Sequence, residues 1–255
     1  MTPISQPRDI EPCKICSAPA PVYGSVDLHK NCEAKRGLKL PPSGIPVAYH
    51  KCSHCGFLFT TAFDDWKRED YAEAIYNEDY IQVDPDYREL RPATNAAVLT
   101  KLFAAHKSSL SVLDYGGGNG VLARALISNG FQAATTYDPF NAEFVGLPYQ
   151  QFPVVSCFET LEHVPDPYQQ IAAIAKCVRE DGVIIFSTLV QPAYLDDIGL
   201  AWWYIAPRNG HISVFSRQAL KEAWAKYGFT VGSFSDDLQR TYATLPAFAR
   251  HLVRP

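Results

Sequence analysis

From residue 108 onward, short apolar runs alternate with amphipathic stretches. Ser111-Val112-Leu113 reads as a strand leading into a glycine-rich turn. Val121-Leu122-Ala123-Arg124-Ala125-Leu126-Ile127 then reads as a helix that stops at Asn129-Gly130. Ala133–Tyr137 and Pro153–Cys157 are the next strands, Pro167–Val178 the next helix, and Val183–Thr188 a buried strand built on Val183-Ile184-Ile185-Phe186. Gly228–Ser233 and Tyr242–Leu245 read as the last strands, and residues 247–255 as a short helix or a tail. Strands that alternate with helices predict an α/β domain with a mostly parallel sheet. Upstream, Arg88–His106 carries a helical apolar period (Ala97, Leu99, Leu102, Phe103), and Phe57–Phe63 reads as a strand. The acidic, aromatic stretch between them, Asp64–Tyr87, holds Ile75–Tyr80, which is helical or loop-like.

Composition narrows the class. Of 255 residues, 47% are apolar, enough for a sizeable core. A formal net charge of −4 offers no basic face, so nucleic acid is not the expected partner. Residues 1–12 are polar and proline-bearing, unlike a secretory leader, and no apolar run approaches the length of a membrane span. A cytoplasmic location with no membrane insertion is therefore expected.

In that compartment seven cysteines point to metal ligation or reduced thiols. Four fall into two C-x-x-C pairs, Cys13/Cys16 and Cys52/Cys55, the second followed by Gly56. Each pair can place two thiolates on one metal, and four thiolates favour Zn²⁺ or iron in a closed, structural shell. The bland alternative is two unrelated buried pairs. His29 and Cys32, between the pairs, are substitute ligands; Cys157 and Cys177 read as core.

The richest stretch is Asp114-Tyr115-Gly116-Gly117-Gly118-Asn119-Gly120. Glycines at 116, 118 and 120 allow a tight turn and close approach of a ligand. An acid just ahead of them would repel a pyrophosphate but suits an ammonium group, and Asp138, at the end of the next strand, suits two ribose hydroxyls. With Phe158–Pro167 (Phe-Glu-Thr-Leu-Glu-His-Val-Pro-Asp-Pro), Gly210–Ser213 and Tyr227–Phe229, this stretch resembles the class I S-adenosylmethionine-dependent methyltransferases over roughly residues 111–230. The resemblance implies a doubly wound, Rossmann-like sheet, mostly parallel with one antiparallel strand, behind a small N-terminal zinc-binding module. It implies three consecutive segments: module 1–63, helical connector or lid 64–107, and S-adenosylmethionine-binding domain 108–255. It implies cofactor contacts from Asp114, Gly116, Gly118, Gly120, Asp138, Phe158 and, from the lid, Tyr80, with Tyr76 and Arg88 as further candidates. One departure stands out. Only about 15 residues separate Asp138 from the next strand, where the family usually fits a helix and a third strand. Phe140, Tyr149 or a backbone group then becomes the candidate adenine contact.

Ligands of open α/β sheets bind beyond the carboxyl ends of the strands, which puts Asp114, Asp138, Glu159 and the loop after Thr188 around a cleft. Methyl transfer to a hydroxyl needs a base. His163, ahead of a helix start, and His211, in the aromatic stretch Trp202–His211, are the candidates, with Glu159 beside them. A backbone-bonded His163 and a Trp202–His211 lid packed on the core are the structural alternatives. The expectation for that stretch is exposed aromatics beside Arg208 and His211 that stack on a ring or sugar. Glu159, Glu162 and His163 form a further candidate set for a divalent cation.

Cysteine-pair modules ahead of such a domain resemble those of bacterial enzymes that act on nucleotide-linked or polysaccharide sugars. The expected reaction is O-methylation of a sugar hydroxyl, in a capsule or O-antigen precursor for example, with Zn²⁺ structural and a homodimer allowed. C- or N-methylation of a small molecule, and a zinc-module adaptor with a degenerate methyltransferase fold, remain the alternatives.

Overall fold

The structure, a computed structural model, describes residues 2–233 and the backbone of Thr241–Thr244; the predicted helix or tail at 247–255 lies outside the described residues. Contacts group the chain into two units, each assembled from separated stretches. One comprises Met1–Pro85, Glu162–Tyr168 and Leu189–Ala223; the other comprises Asp86–Leu161, Gln169–Thr188 and Trp224–Pro255. The segment read as a connector thus divides between Pro85 and Asp86, and later stretches of the chain join the N-terminal module.

The first unit is built on a five-stranded sheet in the order β1-β2-β3-β4-β9. β1 is Ile10–Pro12, β2 Pro19–Asp27, β3 Pro46–Lys51, β4 Leu58–Phe59 and β9 Ser213–Val214, all paired antiparallel. β4 is shorter than the expected Phe57–Phe63, although the Thr60 amide still donates to the Ile212 carbonyl (3.0 Å), one step further in register with β9. Phe57 stacks on Phe59 in its core, and Phe215 packs on Phe57 at a tilt. Helices α1 (Arg68–Ala74) and α2 (Tyr80–Val83) complete its N-terminal part.

The second unit holds a six-stranded sheet in the order β10-β11-β8-β7-β5-β6. Its strands are β5 Ser111–Tyr115, β6 Ala133–Tyr137, β7 Phe152–Phe158, β8 Val178–Ser187, β10 Thr230–Ser233 and β11 Thr241–Thr244. β6, β5, β7 and β8 run parallel, and β11 is antiparallel to both its neighbours. This is the α/β sheet expected, with one antiparallel strand. Helix α3 (Leu90–Leu102) puts Ala96, Leu99 and then Phe103 on one face, at spacings of three and four, into a core shared with Val112, Leu122, Leu126, Val154 and Ile185. Helix α4 (Val121–Ser128) crosses from β5 to β6 and ends as the Asn129-Gly130 pair predicts, with the Gly130 amide bonded to the Ile127 carbonyl. Helix α5 (Pro167–Cys177) leads into β8. Helix α6 (Leu195–Ile198) belongs to the first unit, and α7 (Arg217–Ala225) runs to the point where the chain returns to the second. Cys157 and Cys177 are buried, as core residues.

Between Tyr137 and Phe152 there is no helix or strand. A parallel crossover needs a dozen or more residues, and this irregular stretch supplies little more than that. β6 and β7 flank β5, so the strand order reverses at β5. That reversal defines the crevice at the carboxyl ends of the strands.

Candidate functional site

Four strand ends of the second unit carry polar groups. At the end of β5 the chain turns sharply, and the Gly116 and Gly117 amides both donate to the Tyr137 carbonyl (2.8 and 3.1 Å) at the end of β6. Asp114 is buried; its Oδ1 accepts from the Ser156 hydroxyl (2.9 Å), its neighbour in register on β7. Its Oδ2 is buried with no hydrogen-bond partner and faces the turn, so close that a Cβ on Gly117 would lie 2.2 Å from it. Only glycine fits at 117. Burial, together with the nearby Asp138 charge, pushes the Asp114 carboxyl up to about 7, against the Ser156 hydrogen bond, which lowers it. A buried carboxylate oxygen that lacks a donor fits a ligand that brings a cationic N–H, as the ammonium of S-adenosylmethionine does.

Asp138 follows β6. Its Oδ2 accepts from the Gly118 amide and its Oδ1 from the Phe140 amide, both at 2.8 Å, which fixes the carboxylate's direction while each oxygen keeps a further lone pair for a hydroxyl. At the ends of β7 and β8, Glu159 accepts a hydrogen bond from the Ser187 hydroxyl (2.6 Å) and donates its own amide to that oxygen (3.1 Å). Glu159 also sits at φ +50, a left-handed conformation uncommon for a residue with a side chain. Phe158, expected at the cofactor, packs in part against the core around Leu122 and Val154. Phe140 and Tyr149 are exposed.

The first unit gathers the other candidates. Sγ–Sγ distances are 3.6 Å for Cys13–Cys55, 3.3 Å for Cys16–Cys52 and 3.6 Å for Cys16–Cys55. Four thiolates about 2.3 Å from a zinc ion lie about 3.8 Å apart on the edges of a tetrahedron, so the set fits that metal. The amides of Ile15, His54 and Cys55 point at the sulfurs of Cys13 and Cys52 at 3.4 Å, as donors that favour thiolates. In the metal-free set the Cys55 thiol's hydrogen bond holds Cys13 down at about 5, while burial pushes Cys16 up to about 11. Neither substitute ligand joins them. His29 bonds the Pro41 carbonyl through Nδ1, and the Cys32 sulfur lies 3.7 Å from Nδ1 of His211.

The stretch Trp202–His211 corrects the expectation of exposed aromatics. Trp202, Tyr204, Arg208 and His211 are all buried. The physical reason is two cations that cap carbonyls: the half-buried Lys30 donates to the Trp202 carbonyl (2.7 Å) and the Ile205 carbonyl, and the buried Arg208 donates to the Ile75 carbonyl (2.8 Å). Burial brings Lys30 down to about 8 and also lowers Arg208. Tyr80 is likewise buried, its hydroxyl donating to the Asn209 carbonyl (3.3 Å) and its ring edge-on to Tyr76. Arg88 is exposed and donates to the Tyr87 hydroxyl.

Within this unit Glu162, His163 and His211 bring their ligand atoms to within 4.8 Å of one another. The cation set read from the sequence is corrected accordingly: His211 takes the third place, and the Glu159 carboxylate is engaged by Ser187. Glu162 is fully buried and accepts from the Tyr204 hydroxyl (2.6 Å). His163 directs Nδ1 to the Gly210 carbonyl (3.1 Å) and His211 directs Nδ1 to the Tyr204 carbonyl (2.7 Å). A carbonyl only accepts, so Nδ1 carries the proton and Nε2 the lone pair in both neutral rings, the form needed by a base or a metal ligand.

Ser156, Gly117, Ser187 and Asn141 belong to the site without having been singled out in the sequence. Ser156 interrupts the apolar run Pro153–Cys157, and a serine at that point is a legible signal. Ser187, at the end of another apolar run, is a weaker one.

A family profile described as "Methyltransferase domain" matches residues 87–233, and the chain belongs to that family. The ubiquinone biosynthesis O-methyltransferase of Aromatoleum aromaticum is 33% identical over 101 residues, 31% of this chain and 43% of that protein. Its counterpart from Coxiella burnetii is 29% identical over 144 residues, 46% of this chain and 62% of that one. The chain thus spans about half the length of these curated relatives. Among solved structures, the 1,6-didemethyltoxoflavin-N1-methyltransferase of Burkholderia thailandensis, with bound S-adenosylhomocysteine, is similar at TM-score 0.47 and 14% identity over 80% of this chain and 96% of that one. No helix among the described residues is long and apolar enough to cross a membrane.

The raised Asp114 carboxyl has a consequence for stability. Between about pH 4 and pH 7 the folded protein holds a proton there that the unfolded chain has lost, so stability falls as pH rises through that window. Asp114→Asn, which keeps an acceptor for Ser156, is expected to remove that fall and to raise the unfolding free energy at pH 8 by at most about 4 kcal/mol. Thermal and urea unfolding from pH 4 to pH 8 measures it; parallel profiles for the two proteins would contradict it.

Proposed function

We propose that this protein transfers the methyl group of S-adenosylmethionine to a hydroxyl of a small-molecule acceptor. The observation that carries the reading is the buried, partnerless Asp114 oxygen at the glycine turn, with the Asp138 carboxylate held in a fixed direction at the next strand end. S-adenosylmethionine supplies an electrophilic methyl on a sulfonium when bound. The second unit's part is to hold the ammonium at Asp114 and the ribose hydroxyls at Asp138, with Glu159 as a catalytic acid; the proton acceptors proposed from the first unit are Nε2 of His211 and of His163. Gly116, Gly118 and Gly120 admit the cofactor's close approach. Phe158 and Tyr80 are the side chains proposed to contact it.

The acceptor is proposed to be a sugar hydroxyl, on the resemblance of the paired-cysteine module to those of sugar-modifying enzymes. A second acceptor class is favoured by the curated relatives, whose names place them in ubiquinone biosynthesis. The four-cysteine set is proposed to hold one structural Zn²⁺, and the protein is proposed to work in the cytoplasm, where those thiols stay reduced. A homodimer is compatible with this reading.

Calorimetric titration with S-adenosylhomocysteine is expected to give micromolar binding. Asp138→Ala is expected to weaken it by about 1.5 kcal/mol or more, roughly tenfold, because bonds to a charged acceptor are lost. Unchanged affinity sinks the ribose assignment, and no binding by folded wild-type protein sinks the function. Sugar nucleotides, sugar phosphates and ubiquinone precursors, offered with labelled cofactor, then sort the acceptor class.

Metal analysis of the purified protein is expected to find one zinc per chain. Cys13→Ser should lower both zinc content and melting temperature; a wild-type protein without zinc would refute the ligand set.

His211→Ala and His163→Ala should each keep S-adenosylhomocysteine binding. At least one should lose turnover by roughly 10²-fold or more if it takes the acceptor's proton. Full turnover in both variants would remove the pair from the chemistry.

A further inference from the structure

We infer that Asn141 is a positioning residue for the cofactor loop and that, with Asp138, it clamps both backbone polar groups of Gly118, the N–H and the C=O on either side of its Cα; this rests on the cofactor reading above. The stretch after Asp138 has neither helix nor strand, yet the seven residues Asp138–Phe144 form a closed loop. The Asp138 amide donates to the Phe144 carbonyl (2.9 Å), and the Phe144 amide donates to the Asn141 carbonyl (3.0 Å). From this ring two side chains reach the same glycine. The Asp138 carboxylate takes the Gly118 amide (2.8 Å), and the Asn141 amide donates through Nδ2 to the Gly118 carbonyl (3.0 Å). The Asn141 side chain is itself oriented, because its Oδ1 accepts from the Glu143 amide (3.0 Å). Donor and acceptor demands at its two ends leave one sense for the side-chain amide.

Gly118 needs such a clamp. It sits at φ +58, and a Cβ built on it would meet nothing within 4 Å. No packed neighbour holds the turn there, and a glycine loses more conformational entropy on ordering than any other residue. Two residues on, the arrangement differs. A Cβ on Gly120 would lie 3.1 Å from the Phe144 ring, so the same loop closes against the glycine turn at a second point by packing. The loop Asp138–Phe144 thereby does for the glycine turn what a packed helix and strand would otherwise do, and Asn141 supplies the polar contact that Asp138 cannot, since a carboxylate cannot donate to a carbonyl.

The test compares Asn141→Ala, Asn141→Asp and Asn141→Gln with wild type. Asn141→Asp keeps the acceptor for Glu143 and turns the donor into an oxygen facing the Gly118 carbonyl. Affinity for S-adenosylhomocysteine, measured by calorimetry, is expected to fall roughly 3- to 10-fold for the alanine variant, the range of one lost hydrogen bond, and further for the aspartate variant. Asn141→Gln, which retains a donor, is expected to recover part of the loss. A separate readout needs no cofactor: in ligand-free protein, exchange of the Gly118 amide with deuterium should speed up in the alanine and aspartate variants at unchanged melting temperature. Wild-type affinity in both of those variants overturns the clamp. So does unaltered Gly118 exchange. Failure of wild-type protein to bind S-adenosylhomocysteine overturns the cofactor reading instead, and the exchange measurement still decides the clamp.

Discussion

One carbonyl oxygen organises the second unit. The Tyr137 carbonyl accepts from the amides of both Gly116 and Gly117, joining the turn after β5 to the end of β6. With that junction made, Asp114 is folded back under the turn, where a Cβ on Gly117 has no room. The next residue after Tyr137 is Asp138, so the carboxylate that orders Gly118 is delivered by the same strand end that holds Gly116 and Gly117. Two acids, 24 residues apart in sequence, are thus brought to one glycine turn by backbone hydrogen bonds alone. Their mutual repulsion is part of why the Asp114 carboxyl is raised. A cationic ligand relieves that repulsion; an anionic one increases it.

The first unit solves a different problem, keeping polar chemistry inside a small, mostly antiparallel scaffold. Three of its sheet strands, β1, β4 and β9, are short, and two loops are fixed by other means. The four cysteines hold the knuckles of 13–16 and 52–55 together, and the Ser216 hydroxyl ties Cys55 to the segment after β9. The aromatic stretch 202–211 is held by Lys30 and Arg208, whose charges are taken up by backbone carbonyls. Such contacts pair cations with neutral acceptors, so burial pulls both groups below their ordinary values. A further carbonyl of the stretch, that of Tyr204, orients its histidine. His211 is therefore placed by backbone geometry, and truncating its side chain leaves the loop's other anchors in place.

What could be read from the sequence follows from how local each signal is. The helix Val121–Ser128, the strand Ala133–Tyr137 and the helix beginning at Pro167 are set by periodicity and end signals within a few residues, and the structure has them almost at the expected bounds. The paired cysteines converge because C-x-x-C spacing fixes each half of the cluster locally. The pairing of β4 with β9 was not legible, since the partners lie more than 150 residues apart and neither has a distinctive pattern. The burial of Trp202–His211 was legible only as the alternative to an exposed stretch, for a related reason. Arginine, asparagine and histidine in an aromatic stretch look like a surface until their carbonyl partners, from residues 75, 83 and 204, are known. Asn141 was invisible because its target is a backbone carbonyl, which leaves no mark in a side-chain pattern.

The shortened connection after Asp138 also changes what β6 must be. Among the described residues β6 pairs with β5 alone, so it is the edge of the sheet. A strand interior to a parallel sheet is covered on both faces and largely apolar; β7 and the second half of β8 are buried almost throughout, on Val154, Val155, Ile184, Ile185 and Phe186 among others. β6 instead reads Ala-Ala-Thr-Thr-Tyr, and only Thr136 is buried. Small and hydroxyl-bearing side chains suit a strand with a free edge, where a run of large apolar residues would invite pairing with another chain. The composition of β6 therefore matches the absence of a third strand beside it. The short loop is thereby consistent with the rest of the sheet, which is what a working glycine turn requires: β6 must be an ordered edge for its last carbonyl to hold Gly116 and Gly117.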